Sequence, residues 1–274
     1  MTRPPALAAL TLILAGALGC AADNAVRDEP GFARLRQKKV LMVVTSHDRL
    51  GDTGKKTGYW LEEVTHFYYR LERAGFQIDI VSPRGGTPPL DPRSHDEDDD
   101  DEINRAFLDN PRASKKLAQT LRPDQVRADD YIVVYFAGGH GAMWDFPGDR
   151  KLASLAASVY ERGGVVAAVC HGPAGLLGIQ LSDGRELIRG KKVTGFTNEE
   201  EGLVFLKSAV PYLLEDELEK KSGNNFVQSL VPFTSHAVVS ERLVTGQNPM
   251  STDAAAEAVV ETLEAIAARD TARR

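Results

Sequence analysis

Cysteine is scarce in this chain: its 274 residues hold two, Cys20 and Cys170. One sits in the N-terminal leader-like segment, so an intramolecular disulfide framework is excluded. Histidine is sparse too, with six residues at no zinc-ligand spacing, and no metal or other cofactor is expected. Basic charge is in deficit, 33 Lys and Arg against 39 Asp and Glu, for a net charge of −6. An acidic chain of this kind is a poor partner for nucleic acid. Apolar runs long enough to span a bilayer are missing as well. The nearest, Ala6 to Leu18, is too short. Repeats are absent, and no composition break marks a second globular domain.

What that N-terminus does contain is a pattern. Met1-Thr2-Arg3 is a short basic start, Ala6 to Leu18 is apolar apart from Thr11, and Gly19-Cys20 follows. This is the form of a secretory signal, and a cysteine after a small residue there resembles the lipobox of bacterial lipoproteins. The expectation is a signal over residues 1–19, lipidation of Cys20, and a lipid-anchored tether over 20–38 at the bacterial cell envelope. An ordinary cleaved signal is the alternative. The globular domain is then 39–274.

From Val40 onward, short apolar runs alternate with helical patterns. Val40–Ser46, Gln77–Ser82, Asp130–Phe136, Gly164–Val169, Val193–Phe196 and Leu243–Gly246 read as strands. A helix is expected from Gly58 to Ala74, with Trp60, Leu61, Val64, Phe67, Tyr68 and Leu71 on one stripe. Others are expected over Arg150–Arg162, over Glu200–Leu206 and after Ser251 as a cap. Val210–Leu230 is amphipathic and suits a cover over the site. The acidic run Asp96–Glu102 reads as a solvated loop, with weak grounds for a cation site. This alternation predicts an α/β domain, a doubly wound parallel sheet with helices on both faces. In such sheets, sites lie at strand carboxyl ends, where Ser46, Gly138–Gly141 and Cys170 all fall.

Cys170 is the residue on which function turns. It ends a buried strand and is followed by His171-Gly172-Pro173, a strand-to-helix turn with a nucleophile at its apex. Such an elbow needs small neighbours because its backbone is strained, and Ala168 and Gly172 supply them. At a helix N-terminus beside His171, the thiol is expected to have a lowered pKa. A buried structural cysteine is the alternative. For a carboxylate partner the first helix offers Glu62 and Glu63. Helical geometry puts Glu63 at the edge of the apolar stripe, where burial would keep it protonated. Pairing of Glu63 with Arg70 or Lys56 is the competing reading. Gly138 and Gly139 would let the backbone approach a substrate oxygen closely.

These strings together resemble the ThiJ/PfpI superfamily, whose fold is that of class I glutamine amidotransferases. They resemble most its branch of glutathione-independent glyoxalases (glyoxalase III) and heat-shock chaperones. The residues that carry the resemblance are Lys56–Glu63, Gly138–Gly141 with Trp144–Pro147, Ala168–Pro173, Thr194–Thr197 and Thr245–Pro249. The resemblance implies a flavodoxin-like sheet with the elbow at Cys170, and catalysis by Cys170, His171 and Glu63. It implies conversion of methylglyoxal, a small 2-oxoaldehyde, to D-lactate without glutathione. The oxyanion would lie against backbone N–H groups of Gly139 and His171, with Gly138 and His140 near the substrate. A homodimer is the expected assembly. Glutaminase activity is disfavoured, because that class has His-x-Glu after its nucleophile. Here His236 is followed by Ala237 and Val238, and His95-Asp96-Glu97 lies upstream. A deglycase or peptidase on the same cysteine, or an envelope holdase chaperone, are the alternatives.

Overall fold

A computed structural model describes residues 30–95 and 101–272 of the chain. The signal segment, Cys20, most of the expected tether, and residues 96–100 of the acidic run lie outside the described residues. The chain enters through helix α1 (Pro30–Leu35), strand β1 (Lys39–Val43), helix α2 (Leu61–Arg73) and strand β2 (Ile78–Val81). Helices α3 (Glu102–Asp109) and α4 (Pro111–Ala118) share Asn110, which ends the first and caps the second ahead of a proline. Strand β3 (Tyr131–Phe136), the one-turn helix α5 (Ala142–Asp145), helix α6 (Arg150–Glu161) and strand β4 (Val165–Val169) follow. Helices α7 (Asn198–Leu203) and α8 (Leu214–Ser222) precede strands β5 (Ala237–Ser240) and β6 (Leu243–Gly246) and the long helix α9 (Thr252–Ala272).

The strand order is β2-β1-β3-β4-β6-β5, parallel throughout except for β5, which pairs antiparallel with β6. This is a flavodoxin-like α/β sheet. Alternation along β3 shows both faces covered. Tyr135 stacks on Phe67 of α2, with ring centroids 3.5 Å apart, while Phe136 packs edge-on against Phe146 on the other side. Every residue of β3 and β4 is buried, which explains their unbroken apolar sequences.

Several elements depart from the sequence reading, each for a local reason. The N-terminal boundary of the domain moves: α1 falls inside the expected tether, yet Phe32 is fully buried, edge-on to Phe76 at 5.6 Å. The domain therefore includes Pro30–Leu35. β1 stops at Val43 because Thr45 and the Ser46 N–H leave the ladder for the Asp145 carboxylate, at 2.8 and 2.7 Å. Helix α2 starts at Leu61, not Gly58, since Tyr59 exchanges backbone bonds with Pro89 and Asp91 and the Trp60 N–H donates to Gly138 O. Val193–Phe196 is not a strand. Its Thr194 N–H goes to the Thr245 hydroxyl and its Phe196 N–H to Cys170 O, so it crosses the sheet end as a strap. Strand β5 was not expected; its turn into β6 is tight, with Glu241 at φ 59°. Ser251 lies in a 3₁₀ turn ahead of α9, its hydroxyl receiving the His236 N–H.

The burial of Phe32 yields a direct test of the boundary. Phe32→Ala should cost about 3–5 kcal/mol of stability by urea denaturation, as for a large core truncation. A tether residue would cost nothing measurable.

Candidate active site

At the carboxyl end of β4 the chain turns sharply, and Cys170 takes a left-handed backbone conformation, φ 58°. For a non-glycine residue this costs on the order of 1–3 kcal/mol and survives only where neighbours enforce it. Two do so here. The Cys170 N–H donates to Gly246 O at 3.0 Å, and Cys170 O accepts the Phe196 N–H at 2.9 Å. Gly172 is obligatory for contact: a Cβ there would stand 2.1 Å from Phe136 O. The expected elbow is present, but a 3₁₀ run, Gly172–Gly178, follows it in place of an α-helix.

The imidazole of His171 lies beside the thiol, Nδ1 to Sγ 3.2 Å. Its Nε2 lies 2.9 Å from Glu201 Oε2, and Glu201 Oε1 lies 2.9 Å from His140 Nε2. One buried carboxylate thus serves two buried imidazoles, whose rings are 3.9 Å apart. Beyond them, Arg93 Nη2 lies 3.0 Å from His140 Nδ1. The Arg93 guanidinium is gripped by Asp91 through two bonds, at 2.9 and 2.6 Å, and Asp91 accepts the Thr57 hydroxyl at 2.8 Å.

This chain fixes the protons. A guanidinium can only donate, so His140 Nδ1 accepts and its proton sits on Nε2, pointing at Glu201. Glu201, held well below the usual carboxylate range despite burial by the His171 and His140 imidazoles, accepts from both. His171 therefore gives its Nε2–H to Glu201, and in its neutral form turns the Nδ1 lone pair toward the thiol. Burial and the neighbouring His171 push His140 down to about 4, so it stays neutral. His140, His171 and Glu201 bring three ligand atoms within 4.8 Å. The lone pairs a metal would need are replaced by N–H groups already given to Glu201, so the trio is arranged as a relay.

On the opposite side of the thiol stands Glu63, fully buried. Its Oε2 accepts the Gly138 N–H at 2.6 Å, and Cys170 is the other polar group its carboxyl reaches. Oε1 has no hydrogen-bond partner among the described residues. Burial pushes Glu63 up to about 8, so it carries a proton at neutral pH. Burial, followed by the Glu63 and Glu200 carboxyls, also pushes the Cys170 thiol up, against the lowering influence of the Gly139 N–H. This corrects the expectation of a lowered thiol pKa: the thiol is buried, and a 3₁₀ run offers little of the dipole an α-helix would. The resting thiol is protonated, with an acceptor already aimed at it.

Cys170, His171, Glu63, Gly138, Gly139 and His140 are thus brought together, with several roles altered. Glu63 is not paired with Arg70 or Lys56. Arg70 bonds Glu257 and Lys56 bonds Asp48. The Gly138 N–H is taken by Glu63, and its missing Cβ makes room for His171 N and Glu63, not for substrate. Gly139, at φ 88°, passes beneath Gly58 O and Trp60 N. Ser46 stays outside, its hydroxyl accepting the Arg84 N–H. Helix α8 covers the back of the elbow, packing on the 3₁₀ run, and does not line the cavity.

Glu201 was missed. Its signal was Thr197-x-x-Glu200, a capping box that starts α7 directly after the strap. Three glutamates in a row then meet different fates. Glu199 is exposed. Glu200 is fully buried, accepting from Thr197, Phe233, Gln247 and Asn248. Glu201 reaches the imidazoles.

A cavity of about 420 Å³ opens over these groups, with Trp60, Arg93, His140, Cys170, His171, Phe196, Val204, Phe233, Pro249 and Met250 in its walls. Trp60, expected on the helix stripe, belongs to this wall because α2 begins after it.

The buried proton on Glu63 has a consequence for stability. The folded protein keeps it up to about pH 8, whereas an unfolded glutamate releases it near 4.5. Between those values the folded state binds more protons than the unfolded state, so stability falls as pH rises through the window. Glu63→Gln is isosteric and always neutral. In denaturation at about pH 5 and about pH 9, it should lose less stability than wild type across the interval.

Comparison with known proteins places the chain in a family. A model of the DJ-1/PfpI family matches residues 56–262. The glutathione-independent glyoxalase of Saccharomyces cerevisiae is 35% identical over 83% of this chain and 98% of its own. Glyoxalase 3 of Candida albicans is 32% identical over 82% and 98%. Among solved structures, glyoxalase III from Candida albicans superposes with a TM-score of 0.74 at 30% identity, covering 83% of this chain and 98% of that one. The rapid encystment protein of Francisella tularensis superposes at 0.78 with 38% identity, over 82% and 99%. With the family model matching residues 56–262 and relatives 32–35% identical over more than four fifths of the chain, the protein belongs to the DJ-1/PfpI family.

Proposed function

We propose that the protein is a glutathione-independent glyoxalase, converting methylglyoxal and related 2-oxoaldehydes to D-lactate and the corresponding 2-hydroxy acids. The observation that carries this reading is the opposed pair around one thiol. His171 Nδ1 presents a lone pair at 3.2 Å on one side, and Glu63 holds a proton on the other. Two titratable groups set to opposite states are what a proton-shuttling isomerisation requires. Relatives over nearly the full domain carry glyoxalase names.

The reaction needs no external oxidant. The Cys170 thiol passes its proton to His171 as sulfur attacks the aldehyde carbon, forming the C–S bond of a hemithioacetal. Backbone N–H groups of Gly139, already directed at Sγ, and of His171 stabilise the oxygen. Removal of the proton from the former aldehyde carbon gives an enediol, and its return to the adjacent carbon gives a thioester. One carbon is oxidised and its neighbour reduced. Water then cleaves the C–S bond, releasing the hydroxy acid and restoring the thiol. Glu63 and His171 carry these protons, while Glu201 holds the imidazole in its working tautomer.

Envelope anchoring through a lipid on Cys20 belongs to the same proposal and rests on the leader sequence alone.

Two measurements test these readings. Purified protein should form lactate from methylglyoxal without glutathione. Cys170→Ala should abolish this, Glu63→Gln should lower kcat by about 10²–10⁴ as for loss of a general acid–base group, and Glu201→Gln by up to about 10⁴. Lactate formation unchanged in Cys170→Ala would falsify the mechanism. In cells, Cys20→Ala should lose incorporation of labelled palmitate and leave the membrane fraction; equal labelling would rule out the anchor.

A further inference from the structure

The cavity is larger and more apolar than a three-carbon substrate requires. At about 420 Å³ it is in the range of pockets that hold drug-sized molecules, roughly 300–1,000 Å³. Its lining is divided. Cys170, His171, His140 and Arg93 contribute its polar groups, while Phe196, Phe233, Val204, Met250 and Trp60 contribute apolar ones. A substrate whose reacting carbons sit at Cys170 would leave most of those apolar groups uncovered if it carried only a methyl group.

One of these apolar residues is held at a cost. Phe233 has φ 55°, in the left-handed region where glycine would sit without strain. Its position is enforced: the Phe233 N–H donates to Glu200 Oε1 at 2.8 Å, and Glu200 also binds Gln247, Asn248 and Thr197. The ring stands 5.9 Å from that of Phe196, which in turn lies 4.4 Å from His171. It remains 39% exposed, so the side chain is not there to fill the core. A large apolar group kept in a strained backbone, anchored by a buried carboxylate and facing the nucleophile's cavity, is placed to contact a ligand.

We infer that the preferred substrates are 2-oxoaldehydes bearing a bulky apolar substituent, aryl or longer alkyl, with Phe233 and Met250 as the residues that select it. The reaction rests on the glyoxalase reading; the substituent preference rests on the cavity. Phenylglyoxal plus water would give mandelate by the same internal redox exchange, with no further reactant.

The test compares phenylglyoxal with methylglyoxal. Wild type should favour phenylglyoxal by about tenfold or more in kcat/KM, within the roughly 10–200-fold that one apolar pocket contact supplies. Phe233→Gly relieves the backbone strain, so its melting temperature should not fall, yet it should lose most of that ratio. Phe233→Leu should retain part of it, and Met250→Ala should lower it. A ratio near one in wild type, or one unmoved by Phe233→Gly, overturns the inference.

A second readout does not depend on turnover: alkylation of Cys170 by phenacyl bromide against bromoacetone, each normalised to its rate with free glutathione. The phenacyl reagent should be favoured by about tenfold, and less so in Phe233→Gly. If neither aldehyde is turned over while this labelling preference holds, the glyoxalase reading fails and the apolar-substituent pocket stands. If the labelling preference is absent, the pocket inference fails whatever the turnover.

Discussion

The left-handed turn at Cys170 is the constraint around which the rest of the molecule is arranged. It exists because two backbone bonds, to Gly246 O and from Phe196 N, hold a residue where its own sterics would not leave it. The first bond continues the β4–β6 pairing, and the second requires the strap over residues 193–196. The strap is fastened by Thr245 and leads into the cap of α7. Strand pairing, strap and helix start are therefore parts of one device that presents a thiol at the end of a buried sheet.

The same device arranges the charges. Because α7 begins just beyond the strap, consecutive glutamates leave its first turn in different directions. Glu200 ties the loops carrying Phe233, Gln247 and Asn248, and Glu201 takes the two imidazoles. The scaffold and the proton relay share a helix turn, so a disturbance in one is transmitted to the other. Burial then divides the acids. Glu201, with two N–H donors, stays ionised, whereas Glu63, with one donor and a thiol for company, keeps its proton. Arg93 completes the arrangement from outside by fixing which nitrogen of His140 carries hydrogen.

Much of this was legible in the residues. The run from Gly164 to Val169 announced a buried strand, and the placement of Glu63 at the edge of the α2 stripe foretold its burial. Period and spacing report local geometry, and both features are local. The thiol's own environment was not local. Its expected lowering assumed an α-helix N-terminus beside His171, but the elbow leads into a 3₁₀ run and the thiol is buried, and the direction reverses. Likewise, no pattern in Leu230–Thr234 signals that Phe233 lines the nucleophile's cavity, since its position is dictated by Glu200, far away in sequence.

The sequence by itself determined the α/β alternation, the elbow with its cysteine and histidine, the glycines that allow close approach, and the buried acid on the first long helix. These follow from side-chain size, periodicity and turn chemistry, which act over a few residues. Only the tertiary structure decided which of three adjacent glutamates meets His171, that His140 and Arg93 join it, and that Pro30–Leu35 belongs to the domain. Those depend on where separate segments meet at the end of the sheet, and hydrogen-bond partners and burial exist only once that meeting has occurred.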